Sequence, residues 1–198
     1  MSALATPLTL RRTVVLVALL NLAYFGVEFG VALAIGSVSL FADSIDFLED
    51  AAINVLIAVA LGWSARRRAG VGFALALILL VPGIATVFMA WQKFNAPLAP
   101  DATLLTLTGM GALAVNLGCA LLLARVREHA GSLGKAAFLS ARNDVLANVA
   151  IVAAGLATAG LASAWPDLAV GIGIGLLNAG AAREVWQAAR AERLAAQP

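Results

Sequence analysis

Six apolar stretches, each of about twenty residues or more and so long enough to cross a bilayer as a helix, take up most of the sequence. The alternating pattern of a membrane β-barrel is absent. Hydrophobic residues make up 62% of the chain, which is too many for an ordinary soluble domain. The sequence therefore predicts an all-α integral membrane protein with six transmembrane helices, at about residues 12–35, 38–63, 69–91, 103–125, 136–164 and 166–187.

The basic residues predict the orientation of these helices. Lysine and arginine concentrate at both ends of the chain and in the loops after the second and fourth spans, whereas the other three loops contain only Lys93. Because positive charge favours the cytoplasmic side, we expect both termini in the cytoplasm. The short tail after the sixth span favours a single transmembrane domain over residues 1–198 with no soluble domain, and we expect it in a bacterial inner membrane. The net charge of +2 gives no reason to expect nucleic-acid binding.

Three aspartates in the second predicted span are the most informative polar residues. Asp43, Asp46 and Asp50 follow the spacing i, i+3 and i+7, and the last two lie one helical turn apart on one face. A charge at bilayer depth costs about 2.5–3.5 kcal/mol on insertion scales. Several such charges on one face indicate a pathway for cations or protons.

The fifth predicted span carries a second polar face, on which Ser140, Asp144 and Asn148 recur every four residues. Asp46 and Asp144 each lie about 12 Å from the beginning of their helix, and the two helices begin on opposite sides of the membrane. The two faces can therefore meet near mid-membrane and hold one divalent cation, since carboxylates suit such ions. The predicted ligands are Asp46, Asp50 and Asp144, with Ser140 as a fourth oxygen.

Other polar residues in the spans could serve the same pathway or brace the helices. Asp43 could lie at the entrance to the site or bond a helix end, and Glu28 could line the path or brace the bundle. Asn116 and Asn143 are interpreted mainly as bracing residues. The candidates for an accessory or pathway role are Asp43, Asn148, Glu28 and Asn143.

Three local contacts are also predicted. A tight turn at Gly36 joins the first two spans, and Glu49, which points away from the Asp46 direction, is expected to pair with Arg142. Small residues spaced four apart allow close helix packing, here more within one chain than at a dimer seam. They form two pairs, Gly26 with Gly30 and Gly171 with Gly175.

At these residues the chain resembles the cation diffusion facilitator family of divalent-metal transporters. The matching segments are Asn21-Leu-Ala-Tyr24 with Glu28, Gly36-Ser-Val-Ser-Leu-Phe-Ala-Asp-Ser44 leading into Asp46-x-x-x-Asp50, and Asn143-Asp144-Val-Leu-Ala-Asn148. The resemblance implies an antiporter, usually a homodimer, that expels zinc or a similar ion (Co, Cd, Mn or Fe) in exchange for protons and carries no prosthetic group. It also implies a central metal site built from two residues, four apart, in each of spans two and five.

The sequence departs from the family pattern in two places. Family members commonly have histidine first in the span-five pair, where this chain has Ser140. An all-oxygen site should bind zinc less selectively, because imidazole is a ligand that suits zinc. Many members also carry a cytoplasmic metal-sensing domain after span six, so the resemblance is to the short, membrane-only members.

Two other functions fit the same residues. One is a membrane sensor or accessory subunit that binds metal without transporting it, and the other is a proton or small-molecule pathway without metal. No enzyme is expected, because the sequence offers neither a nucleophile with its base nor a phosphate-binding loop. The favoured function is metal/proton antiport by alternating access, in which protons occupy the crowded carboxylates as the metal ion leaves.

Overall fold

The computed structural model describes residues 7–60, 84–126 and 131–178, and every regular element in these ranges is a helix. The six segments are α1 Pro7–Ile35, α2 Val38–Ala60, α3 at residues 84–95, α4 Ala102–Ala124, α5 Gly131–Leu161 and α6 at residues 165–178. The bounds of α3 and α6 are those of their described residues. The predicted all-α fold class is therefore confirmed.

Most helix boundaries lie close to the predicted ones. The turn between α1 and α2 is confirmed at Gly36, whose φ of 65° is left-handed and suits a residue without a Cβ. α3 continues to residue 95, past the predicted end at 91. α5 begins at Gly131 rather than at residue 136, because isolated glycines weaken a long helix by only about 1 kcal/mol each and do not end it.

Within the described residues, three helices are long and apolar enough to cross a membrane, namely Leu10–Ile35, Ala102–Ala124 and Ser140–Leu161. α2 has the same length as α4, 23 residues, but carries four acidic residues. α3 and α6 are described over only part of their predicted spans. Six membrane crossings and cytoplasmic termini therefore stay predictions.

A polar layer separates two apolar clusters in the packing of α1, α2, α4 and α5. α1 packs on α2 and α4 on α5, and the two pairs join through α1–α4 and α2–α5 contacts. In α1, Val17 belongs to one cluster and Ala32 to the other, and the buried Asn21 and Glu28 lie between them. In α2, α4 and α5, buried polar residues likewise lie between the two apolar clusters. Their buried polar residues at this level include Asp50, Asn54, Asn116 and Asn148.

The two predicted glycine pairs behave differently. Gly26 and Gly30 lie on the exposed face of α1, and a Cβ at either position would meet no atom of the described chain within 4 Å. Close packing against the described helices is therefore not found for this pair. Gly171 does pack closely, since a Cβ there would lie 2.7 Å from the backbone nitrogen of Ser39, whereas Gly175 leaves room for ordinary contact.

Candidate metal centre

Two hydrogen bonds join the acidic face of α2 to the polar face of α5. Ser140 Oγ donates to Asp50 Oδ1 at 3.0 Å, and Asn148 Nδ2 donates to Asp43 Oδ2. Asp50 follows Asp43 along α2, whereas Ser140 precedes Asn148 along α5, so the two helices run antiparallel. The predicted meeting of the two faces is confirmed.

The four predicted ligands lie together where α2 contacts α5. Asp50 and Asp144 are within hydrogen-bonding reach of each other, and Asp46 lies close enough to Asp144 for their charges to interact. Asp50 is buried, whereas Asp46, Asp144 and Ser140 are partly exposed. Within the described residues, no lysine or arginine forms an ion pair with these acids.

A cavity of about 750 Å³ opens beside these side chains. Since one water takes up about 30 Å³ of liquid, the cavity has room for an ion with several waters. All four predicted ligands contribute to its polar wall, together with Glu49 and Asn143. Its apolar wall comes from α5 and α6, among whose lining residues are Ala147, Ala150, Gly173 and Ile174.

The predicted ligands do not form a closed coordination shell. Within the described ranges, no three carboxylate, histidine or cysteine side chains lie close enough together to hold a metal ion. Carboxylates that face one another repel, and a cation between them would reverse that force. The arrangement is that of separated acids around a shared cavity.

Behind the cavity, a buried network connects the predicted accessory residues. Asn116 Nδ2 on α4 donates to Asn148 Oδ1 at 3.0 Å, and Asn148 donates to Asp43. Asn116 therefore braces α4 against α5, as predicted. Asp43 is 0% exposed and lies in the interior rather than at an open entrance, and Glu28, also 0% exposed, lies beside it.

Two expected contacts are not found at the edge of the cavity. Asn143 is exposed, and its described side-chain bond is with the neighbouring Arg142, whose Nη2 lies 3.4 Å from Asn143 Oδ1. It therefore lines the cavity without bracing another described helix. Glu49 also faces the cavity, and no ion pair joins it to Arg142. The predicted pair is wrong, because Arg142 lies on an exposed face of α5.

Sequence reasoning missed an extensively bonded carboxylate at the beginning of α6. Asp167 Oδ1 accepts from the hydroxyls of Ser37 and Ser39 at 2.6 Å each. Its two oxygens also accept from the backbone N–H groups of Val38 and Ser39, and Oδ2 pairs with Lys93 Nζ at 3.1 Å. The available signal was the Ser-x-Ser segment at the beginning of α2, because helix N-termini bind anions and favour serine.

These features define an all-α membrane protein with an acidic, cavity-lining centre between two antiparallel helices. The family model of the cation efflux transmembrane domain matches residues 14–190. The chain therefore belongs to the cation efflux family, whose members are membrane transporters of divalent metal ions and not enzymes. No curated protein matches the chain significantly.

Proposed function

We propose that the protein exports a divalent metal ion across a bacterial inner membrane in exchange for protons. The observation that supports this most directly is the group of acids on α2 and α5 that faces one cavity without a balancing cation in the described chain. Zinc or a similar ion (Co, Cd, Mn or Fe) is the cargo, and the working unit is a homodimer.

The proposed ligands are the carboxylates of Asp46, Asp50 and Asp144 and the hydroxyl of Ser140. Ser140 already bonds to Asp50, which supports its position at the level of the acids. When a metal ion binds, this hydroxyl would offer it an oxygen lone pair while its hydrogen remains available to a neighbouring oxygen. Oxygen donors of this kind accept several divalent ions, so the site itself does not define the cargo.

Alternating access explains how metal and protons exchange at one site. The cavity wall includes Ser140, which the predicted orientation places near the cytoplasmic end of span five. We therefore interpret this conformation as the one that loads metal from the cytoplasm. After α2 and α5 rearrange, protons occupy the carboxylates and the ion leaves outward, because both compete for the same negative charge.

Transport by reconstituted protein tests this proposal. Vesicles that contain a metal-sensitive dye should show metal uptake driven by a pH gradient. Asp50→Asn and Asp144→Asn should each reduce the rate to that of protein-free vesicles, because each removes a charged ligand. Asp101→Asn is a matched control, since Asp101 is an exposed N-cap of α4 and asparagine can still accept from the Leu104 N–H.

Each other outcome of this experiment identifies a different function. Unchanged transport in both interior variants would refute the site. Metal binding by calorimetry without any flux in the wild-type protein would indicate a sensor or accessory subunit. A proton flux without metal binding would indicate a proton pathway.

Selectivity gives an independent test of the Ser140 position. If this serine stands where an imidazole ligand suits zinc, Ser140→His should increase zinc transport relative to manganese or cobalt. A competition assay with two metals in the same vesicles measures this ratio directly. An unaltered ratio would show that residue 140 does not contact the metal ion.

A further inference from the structure

Glu28 of α1 is a buried acid that the proposed metal site does not use. Its side chain is 0% exposed, and neither of its carboxylate oxygens has a hydrogen-bond partner within the described residues. Asp43 of α2 lies within hydrogen-bonding reach of it and is also 0% exposed. Asp43 Oδ2 accepts from Asn148, but Asp43 Oδ1 has no partner in the described chain.

One proton would allow the two acids to form a hydrogen bond with each other. An ionised carboxylate can only accept hydrogen bonds, whereas a protonated one also donates through its O–H group. A proton on Glu28 therefore gives Asp43 Oδ1 a donor and removes one of two adjacent buried charges. Leaving both acids ionised would combine like-charge repulsion with the cost of burying two unpaired charges.

The described surroundings supply no cation that could replace this proton. α4 has no charged residue in its sequence, and the described ion pair, Lys93 with Asp167, lies at the end of the bundle where α2 begins. Tyr24 is one turn before Glu28, but its hydroxyl donates to the Thr108 carbonyl at 2.6 Å. The other titratable groups that act on the pair are all acids, namely Asp46 and Asp50 on α2 and Asp144 on α5.

We propose that Glu28 is a proton-binding site separate from the metal ligands, which donates to Asp43 in the metal-free protein and loses its proton when metal binds. The O–H bond of Glu28 breaks, Glu28 becomes a carboxylate, and the proton is released to the solvent. This inference rests on the proposed function, because the bound cation supplies the charge that favours release.

The position of the pair makes this coupling physically direct. Asp43 precedes Asp46 by three residues in α2, and Asn148 follows Asp144 by four residues in α5. Both spacings correspond to about one helical turn, so the pair lies one layer away from the proposed ligands. In a poorly solvated interior, a divalent charge at that distance stabilises a newly ionised carboxylate.

Counting the protons released by metal binding tests the proposal. Zinc is titrated calorimetrically into the purified full chain in buffers of different ionisation enthalpy, which gives the number of protons released per ion. Glu28→Gln should bind the same number of zinc ions but release about one proton fewer per ion, because one titrating group is gone. In infrared difference spectra, zinc should remove a carboxylic-acid carbonyl band from the wild type that Glu28→Gln lacks.

Two further variants show whether the acid acts through Asp43. Glu28→Asp keeps a titrating acid but shortens its reach to Asp43, so the carbonyl band should persist at a shifted frequency. This variant also keeps the test available if Glu28→Gln does not fold, and an unshifted band would overturn the pairing. Asp101→Asn, on the exposed N-cap of α4, should change neither the proton count nor the band.

The outcomes separate this inference from the metal site. An unchanged proton count in Glu28→Gln would overturn the proton site and leave the transport proposal intact. Loss of zinc binding in folded Glu28→Gln would also overturn it, because Glu28 would then belong to the metal site. Zinc binding that survives both Asp50→Asn and Asp144→Asn would instead refute the proposed ligands.

Discussion

Two groups of buried carboxylates in this protein have opposite environments. Asp167, at the beginning of α6, is paired with Lys93 and accepts four further hydrogen bonds from the beginning of α2. In the middle of the bundle, Glu28 has no donor and Asp43 only one within the described residues. Both groups are inaccessible to solvent, so burial alone does not distinguish them.

The contrast suggests a division between carboxylates that hold the bundle together and carboxylates that can exchange protons or metal ions. A buried charge that is fully paired contributes a defined contact and is costly to break. A buried acid without a balancing cation is stabilised when it binds a proton or a metal ion. We therefore interpret Asp167 as structural and the interior acids as exchangeable.

The largest effect is expected at the paired carboxylate. Asp167→Ala would leave the Lys93 ammonium buried and the donors at the beginning of α2 without an acceptor. Removing one partner of a buried ion pair typically costs about 3–5 kcal/mol. Unfolding of the purified protein in detergent should show a loss of that order.

Removing the charge while keeping an acceptor provides the control for this prediction. Asp167→Asn retains an oxygen for the Ser37 and Ser39 hydroxyls, so its loss of stability should be smaller than that of Asp167→Ala. Adding Lys93→Met to Asp167→Asn removes the unpaired ammonium and should recover part of the loss. Equal stability of Asp167→Ala and the wild type would show that the ion pair does not stabilise the bundle.

The sequence predicted the acidic centre better than the ion pair for a physical reason. Periodicity places Asp46 and Asp50 on one face of a helix, and the depth of Asp144 in an antiparallel span places it at the same level. The contact between Lys93 and Asp167 depends on how three chain segments approach one another, which no local spacing encodes. The pairing of Asn148 with Asp43 likewise requires knowledge of the α2–α5 packing.

The next largest effect should depend on metal. In the metal-free protein, Asp50→Asn replaces one of two neighbouring acids with an amide that can donate a hydrogen bond to Asp144. A hydrogen bond to a charged group contributes about 1.5–3 kcal/mol to the stability of the folded protein. We therefore expect a modest gain in stability, opposite in sign to Asp167→Asn. With zinc at about 1,000 times its dissociation constant, the wild type should gain about 4.1 kcal/mol and the variant nothing.

Unfolding with a chelator and with saturating zinc measures both halves of this prediction. The stability order of wild type and Asp50→Asn should reverse between the two conditions. A loss of stability in the chelated variant would show that Asp50 acts as a structural carboxylate, as Asp167 does. That result would remove the contrast between the two groups.

A smaller effect is expected where α6 approaches the beginning of α2. A Cβ at Gly171 would lie 2.7 Å from the Ser39 backbone nitrogen and from the Val38 carbonyl carbon, so Gly171→Ala must displace α6. Overpacking of this kind costs about 1–3 kcal/mol. The displacement also moves Asp167 away from its donors, so combining Gly171→Ala with Asp167→Asn should cost less than the sum of the two single losses. Additive losses would show that the glycine contact and the carboxylate act independently.

The smallest effect should come from a glycine outside both groups. Gly26→Ala adds a methyl group on the exposed face of α1, where nothing in the described chain lies within 4 Å. Alanine favours a helix over glycine by up to about 1 kcal/mol, so monomer stability should be equal or slightly higher.

Sedimentation of Gly26→Ala in detergent should show an unchanged mass if this face contacts lipid. A shift towards the monomer would instead place Gly26 at a subunit contact, because small residues allow helices of two copies to approach closely. In that case the exposed face of α1 would be a third kind of region, stabilised by a second copy rather than by charge pairing or a bound ion.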